Sequence, residues 1–127
     1  MGNTYRKLKV WSKAVDLAVQ VYGFTGEFPK QEIYGLSAQM RRAAVSIASN
    51  IAEGSARGTR KDFRQFVKLA EGSNCELQTQ LLIARRLQFG SHESCDAIEA
   101  LSNEVGKMLT ALGQYLTREI RAATPAN

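Results

Sequence analysis

Three groups of side chains in this sequence have types and spacings that bear on chemistry. The first is a basic row, Arg57, Arg60, Lys61, Arg64 and Lys68. Arg60, Arg64 and Lys68 recur at steps of four, so on a helix they share one face. Such a row suits phosphate recognition, because each Lys or Arg near a phosphate displaces condensed counterions. Arg41 and Arg42 add charge upstream, Arg85 and Arg86 downstream, and Asp62 and Glu71 offset part of the field. The bland alternative is a solvated helix face. No aromatic platform or recognition-helix motif supports base-specific reading.

The second group is polar. Ser46, Asn50 and Glu53 fall on one stripe of a helix and could face Ser73 and Glu76 on the next. Buried polar groups need partners, so these five residues are expected to form a hydrogen-bond network. It is either a functional site or a structural device that fixes helix register or a subunit contact.

The third group argues against catalysis. His92 is the only histidine, and Cys75, His92 and Cys95 have no zinc-finger spacing. A di-iron bundle site needs Glu-x-x-His pairs on two helices, which one histidine excludes. The run from Gly54 to Arg60 lacks the Gly-Lys-Ser/Thr ending of a phosphate loop and follows a helix rather than a strand. There is no Gly-x-Ser-x-Gly elbow. No catalytic residue, metal site or cofactor is therefore expected, and the chain is read as a non-enzyme.

The elements that would position these groups are all helical. Leu36, Met40, Ala43, Ile47 and Ile51 step by four, three, four and four, and no charged side chain occurs from Ala43 to Ala52. A helix covering one side of a core should show a charged face. This one is expected to be buried on two sides, with Val45, Ala48 and Ala52 against a sister chain. Around it the periodicity predicts helices over about 5–26, 37–56, 59–89 and 92–121. Ser37, Thr59 and Ser91 are the expected N-caps, Asp62 completes a capping box with Thr59, and Gly90 is the expected C-cap. Three short connections and no strand signal predict an all-α, antiparallel up-down-up-down four-helix bundle in one domain spanning 1–127.

The composition sets outer bounds. The chain of 127 residues is 44% hydrophobic and 23% charged, with a formal net charge of +5 and a pI near 9.5. That excess fits a polyanionic partner, or simply a soluble basic protein. No run has the roughly 18 apolar residues of a membrane span, and the first residues lack a signal peptide's apolar run, so the expected location is the cytoplasm and no membrane partner is expected. Two cysteines define no disulfide framework, and both are expected to be free thiols.

Several runs also resemble a known family. They are Leu8 with Val10-Trp11 and Lys13-Ala14; Phe28-Pro29 with Glu32; Tyr34-Gly35-Leu36; Gln39 with Arg41-Arg42-Ala43; Ser46-Ile47; Asn50-Ile51-Ala52-Glu53-Gly54; Arg57; Phe63 and Phe66; Gly72-Ser73; and Glu76-Leu77. The chain resembles the four-helix-bundle proteins encoded in intervening sequences of bacterial 23S ribosomal RNA genes, and is similar to the accessory proteins of diversity-generating retroelements. It departs from the pattern at Ala48, where the family often has proline, and at Gln78, where an acidic residue is usual. The resemblance implies a bundle that assembles as a homopentameric ring, with no catalytic residues. In the retroelement proteins the partners are a reverse transcriptase and RNA.

The resulting expectation is a homo-oligomer that binds nucleic acid, RNA or DNA, through Arg57, Arg60, Lys61 and Arg64, with Arg41 and Arg42 either as further contacts or in inter-subunit pairs. The alternative is a structural or protein-interaction scaffold without nucleic-acid binding. A third reading, a small-molecule binder, would need an apolar pocket around Ser46, Asn50 and Glu76.

Overall fold

The computed structural model describes residues 4–125. Four helices are present: α1 (Lys9–Thr25), α2 (Leu36–Ala56), α3 (Arg60–Arg86) and α4 (His92–Ala123). Short 3-10 turns at Thr4–Lys7 and Lys30–Glu32 precede α1 and α2. There is no strand among the described residues, and the fold is an all-α four-helix bundle.

Each helix packs against its neighbours in a closed cycle, α1 with α2, α2 with α3, α3 with α4, and α4 back to α1. Side-chain pairs fix the direction of travel. Ser46 meets Ser73 and the Gly54 backbone meets Phe66, so α2 and α3 run antiparallel. Glu71 meets Thr110 and Arg85 meets Asp96, so α3 and α4 do likewise.

The core follows the apolar stripes. On α1 the stripe Val10, Ala14, Leu17, Val21 and Phe24 is buried, while Trp11 and Ala18 on the adjoining stripe are half-buried and Tyr22 is exposed. Met40, Ala43, Ala44, Ile47 and Ile51 supply the α2 wall, and Val67, Ala70, Leu77, Leu81 and Ala84 the α3 wall. Ile98, Val105, Leu109 and Leu116 close it from α4. Phe24, Phe28 and Phe89 stack at one end, with ring centroids 5.0 and 5.4 Å apart in succession.

The helix ends correct several expectations. Leu8 is extended, so the first helix begins at Lys9, after the 3-10 turn rather than at residue 5. Ser37 does not cap α2; it is buried in the first turn, and the Glu32 carboxylate accepts the Leu36 N–H at 3.2 Å. The 3-10 turn brings Glu32 beneath the first turn, which supplies the missing acceptor. The third helix stops at Arg86 rather than 89. Gln88 takes the left-handed conformation (φ 60°), and the Phe89 N–H donates to Ala84 C=O at 3.0 Å, a Schellman-type end that displaces Gly90 from the expected C-cap position. The Thr59 and Ser91 hydroxyls do act as N-caps, accepting from the Asp62 and Ser94 N–H groups at 3.1 Å each.

Gly54 lies in the last turns of α2, buried against α3. A Cβ there would sit 2.5 Å from Phe66 Cβ, closer than atoms tolerate. The absent side chain lets the two helices approach at the end where the basic row begins. Gly90 has a second constraint: its φ is 72°, and a Cβ would lie 2.4 Å from the Phe24 ring.

Candidate nucleic-acid interface

The structure divides the expected basic residues into three groups. Arg60 and Lys61 open α3 and are exposed, and Arg64 follows one turn later. Arg60 and Lys61 border an open cleft of about 820 Å³ between the start of α3 and the end of α4. Arg64 and Lys68 line the next section of the same seam, a groove of about 380 Å³, facing Arg118 and Arg121 from α4. None of these six cations makes an ion pair among the described residues. Glu71 is the one acidic residue lining that groove, and its carboxylate accepts from Thr110 Oγ1 at 3.3 Å.

Gly113 leaves room in this seam. At Gly113 an added Cβ would meet Val67 and Glu71 only at van der Waals distance. Arg118 and Arg121 lie outside the residues expected to form the site. Their signal was present, two arginines three apart on the last helix, but nothing in a single helix places them opposite Arg64 and Lys68. That requires the antiparallel register of α3 and α4.

Arg57 is held locally. It pairs with Glu53 at 2.9 Å, one helical turn back, and its guanidinium lies 4.9 Å from the Phe66 ring centroid. Arg41 is engaged inside the protomer: its Nε donates to Thr25 Oγ1 at 2.8 Å, Nη2 donates to the Tyr22 carbonyl at 3.4 Å, and it lies 4.5 Å over the Tyr22 ring. It clamps α2 to the end of α1. Arg42 is exposed beside Glu76 in a small cleft between α2 and α3, away from the α3/α4 groove.

The polar stripe is only partly joined. Ser46 Oγ and Ser73 Oγ are 2.9 Å apart, and Asn50 Nδ2 donates to both the hydroxyl and the carbonyl of Ser46. Glu53 stands outside this group because its carboxylate accepts from Arg57 Nη2, one turn further along at the end of α2. Glu76 is exposed and makes no hydrogen bond to the cluster. The carboxylates thus face water, where charge costs least, and only the small neutral groups remain between the helices.

A second polar cluster went unforeseen. Ser102, fully buried on α4, donates from Oγ to Asn74 Oδ1 at 2.7 Å, and Asn74 Nδ2 donates to the Ser102 carbonyl at 3.0 Å. Gln78 Nε2 adds bonds to Ser102 Oγ and Asn103 Oδ1. Asn74 sits between Ala70 and Leu77, and Ser102 between Ile98 and Val105, so each interrupts an apolar stripe. That interruption was the available signal.

At the proposed subunit face, Val45 is 42% exposed, while Ala48 and Ala52 are half-buried. Both cysteines are free thiols, and burial pushes the Cys95 thiol above its ordinary value against the opposing pull of the Arg85 charge. Among the described residues no cluster of three His, Cys, Asp or Glu could hold a metal ion, and no helix is long and apolar enough to cross a membrane.

Comparison with known proteins agrees with this architecture. A protein of unknown function from the S23 ribosomal protein family, from Bacteroides thetaiotaomicron VPI-5482, has a solved structure similar to this one. The TM-score is 0.76 at 24% identity, over 83% of this chain and 95% of that one. At that identity the likeness shows the fold. No curated protein matches the chain. The family model described as 23S rRNA-intervening sequence protein matches residues 6–111, most of the length. The chain belongs to the 23S rRNA-intervening sequence protein family.

Proposed function

We propose that the protein is a non-enzymatic homo-oligomer, a pentamer, that binds nucleic acid, RNA foremost, along the groove between α3 and α4. The observation that carries this reading is the convergence of Arg64 and Lys68 with Arg118 and Arg121, extended by Arg60 and Lys61, with Glu71 alone opposing them in the groove. Cations from two helices facing one channel match a phosphate backbone better than a row on one solvated face, because both sides of the strand are neutralised. Arg57 is held by Glu53 and the Phe66 ring and lines neither the groove nor the cleft. Arg41 and Arg42 contribute little to this surface, one through its bonds to α1 and the other through its position.

Self-association rests on the uncharged outer strip of α2. Val45 offers exposed apolar surface there, and Ala48 and Ala52 leave room for a close approach by a second copy. A salt titration of binding to RNA tests the main reading. Affinity falls steeply as salt rises if phosphates are the ligand, and no binding at low salt contradicts it.

A further inference from the structure

The cleft where α3 starts and α4 ends carries an aromatic ring, Phe63, that the groove it continues lacks. Phe63, Ile120, Ala123 and Pro125 give it apolar wall, interrupted by Ser55, Thr59 and Thr124, and Arg60 and Lys61 line it too. At about 820 Å³ it falls within the range of small-ligand sites. Phe63 and Ile120 are half-buried and Ala123 is exposed, so the apolar walls reach solvent. Phosphates have no use for such walls. A planar aromatic group does, and a ring of Phe63's type is what unpaired bases stack on in single-strand binding sites.

Resting on the reading of the α3/α4 groove as a phosphate track, we infer that this cleft receives an unstacked base, so that the preferred ligand is a single-stranded segment or overhang rather than a blunt duplex. The charge pattern selects this occupant. A cation pair lining the cleft continues into four more cations along the seam, so a strand whose base enters the cleft has its following phosphates on Arg60, Lys61, Arg64 and Lys68. A duplex holds its bases in the stack and offers the cleft nothing.

The test compares, at low salt and with the full-length protein, a short blunt RNA duplex with the same duplex carrying a single-stranded overhang. Loss of one base–aromatic stack changes affinity by about tenfold, so the overhang should bind about tenfold tighter. Phe63→Leu should erase most of that preference while leaving duplex binding and its salt dependence in place, and Phe63→Tyr should retain it. Ala123→Glu changes an exposed position at the cleft and should erase the preference without touching the core. Equal binding of both probes by the unsubstituted protein, or a preference that survives both Phe63→Leu and Ala123→Glu, overturns the cleft assignment and leaves the groove standing. Failure to bind either probe removes the groove reading, and the cleft assignment with it.

Discussion

Asn74 and Ser102 bond to each other twice across the α3/α4 seam, through Ser102 Oγ to Asn74 Oδ1 at 2.7 Å and Asn74 Nδ2 to the Ser102 carbonyl at 3.0 Å. Both residues are buried. A slip of either helix would leave these groups unpaired in an apolar surround, so the pair pins the register on which the facing of Arg64 and Lys68 with Arg118 and Arg121 depends. Ser102→Ala strands the Asn74 oxygen and should cost about 1–3 kcal/mol in urea denaturation. Adding Asn74→Leu to that variant should cost less than the two single changes summed, a coupling that an additive pair would contradict.

Two glycines should respond oppositely to alanine. At Gly54 the new Cβ would press on Phe66 at 2.5 Å, forcing α2 from α3, and destabilisation of about 1–3 kcal/mol is expected. At Gly72, exposed within α3, nothing lies within 4 Å of the new Cβ. Gly72→Ala should raise stability by about 0.5–1 kcal/mol through helix propensity. Thermal melts of the two variants, moving in opposite directions, check this.

Arg41 and the groove cations separate folding from binding. Arg41→Gln removes the bonds to Thr25 and Tyr22 and should lower the melting temperature while leaving RNA affinity nearly unchanged. Arg118→Gln and Arg121→Gln, on exposed side chains, should do the reverse. Parallel melts and RNA-binding isotherms distinguish the two patterns.

The outer strip of α2 predicts where assembly can be broken. Val45→Glu places a carboxylate on exposed apolar surface, where the isolated protomer tolerates it and a packed subunit contact does not. Light scattering should show a smaller particle of unchanged helicity. A mass unaffected by the substitution would move the subunit contact elsewhere.

Much of the bundle was readable because its signals are local. The stripes through Val10–Phe24 and Leu36–Ile51 give both element type and buried face, and Thr59 and Ser91 mark their helix starts within three residues. Ser37 misled because it has the right chemistry one turn from an acceptor, Glu32, that only the intervening 3-10 turn brings into place. The candidate surface was half legible. Arg60, Lys61 and Arg64 declare themselves by spacing on one helix, whereas Arg118 and Arg121 join them through a contact between positions some fifty residues apart. Glu53 was assigned to the wrong partner for a related reason, since a carboxylate one turn from an arginine has a closer and better-hydrated choice than the helix interface.

The slope of log affinity against log salt measures the central claim most directly. For single strands each neutralised phosphate contributes about −0.7 to that slope. If the α3/α4 groove is the phosphate track, replacing Arg64, Lys68, Arg118 and Arg121 by glutamine, singly and then together, should flatten the slope by about 0.7 per residue and weaken binding to all sequences alike. A slope unchanged when all four are replaced, in a protein that still folds and still binds, would place the nucleic acid on another surface.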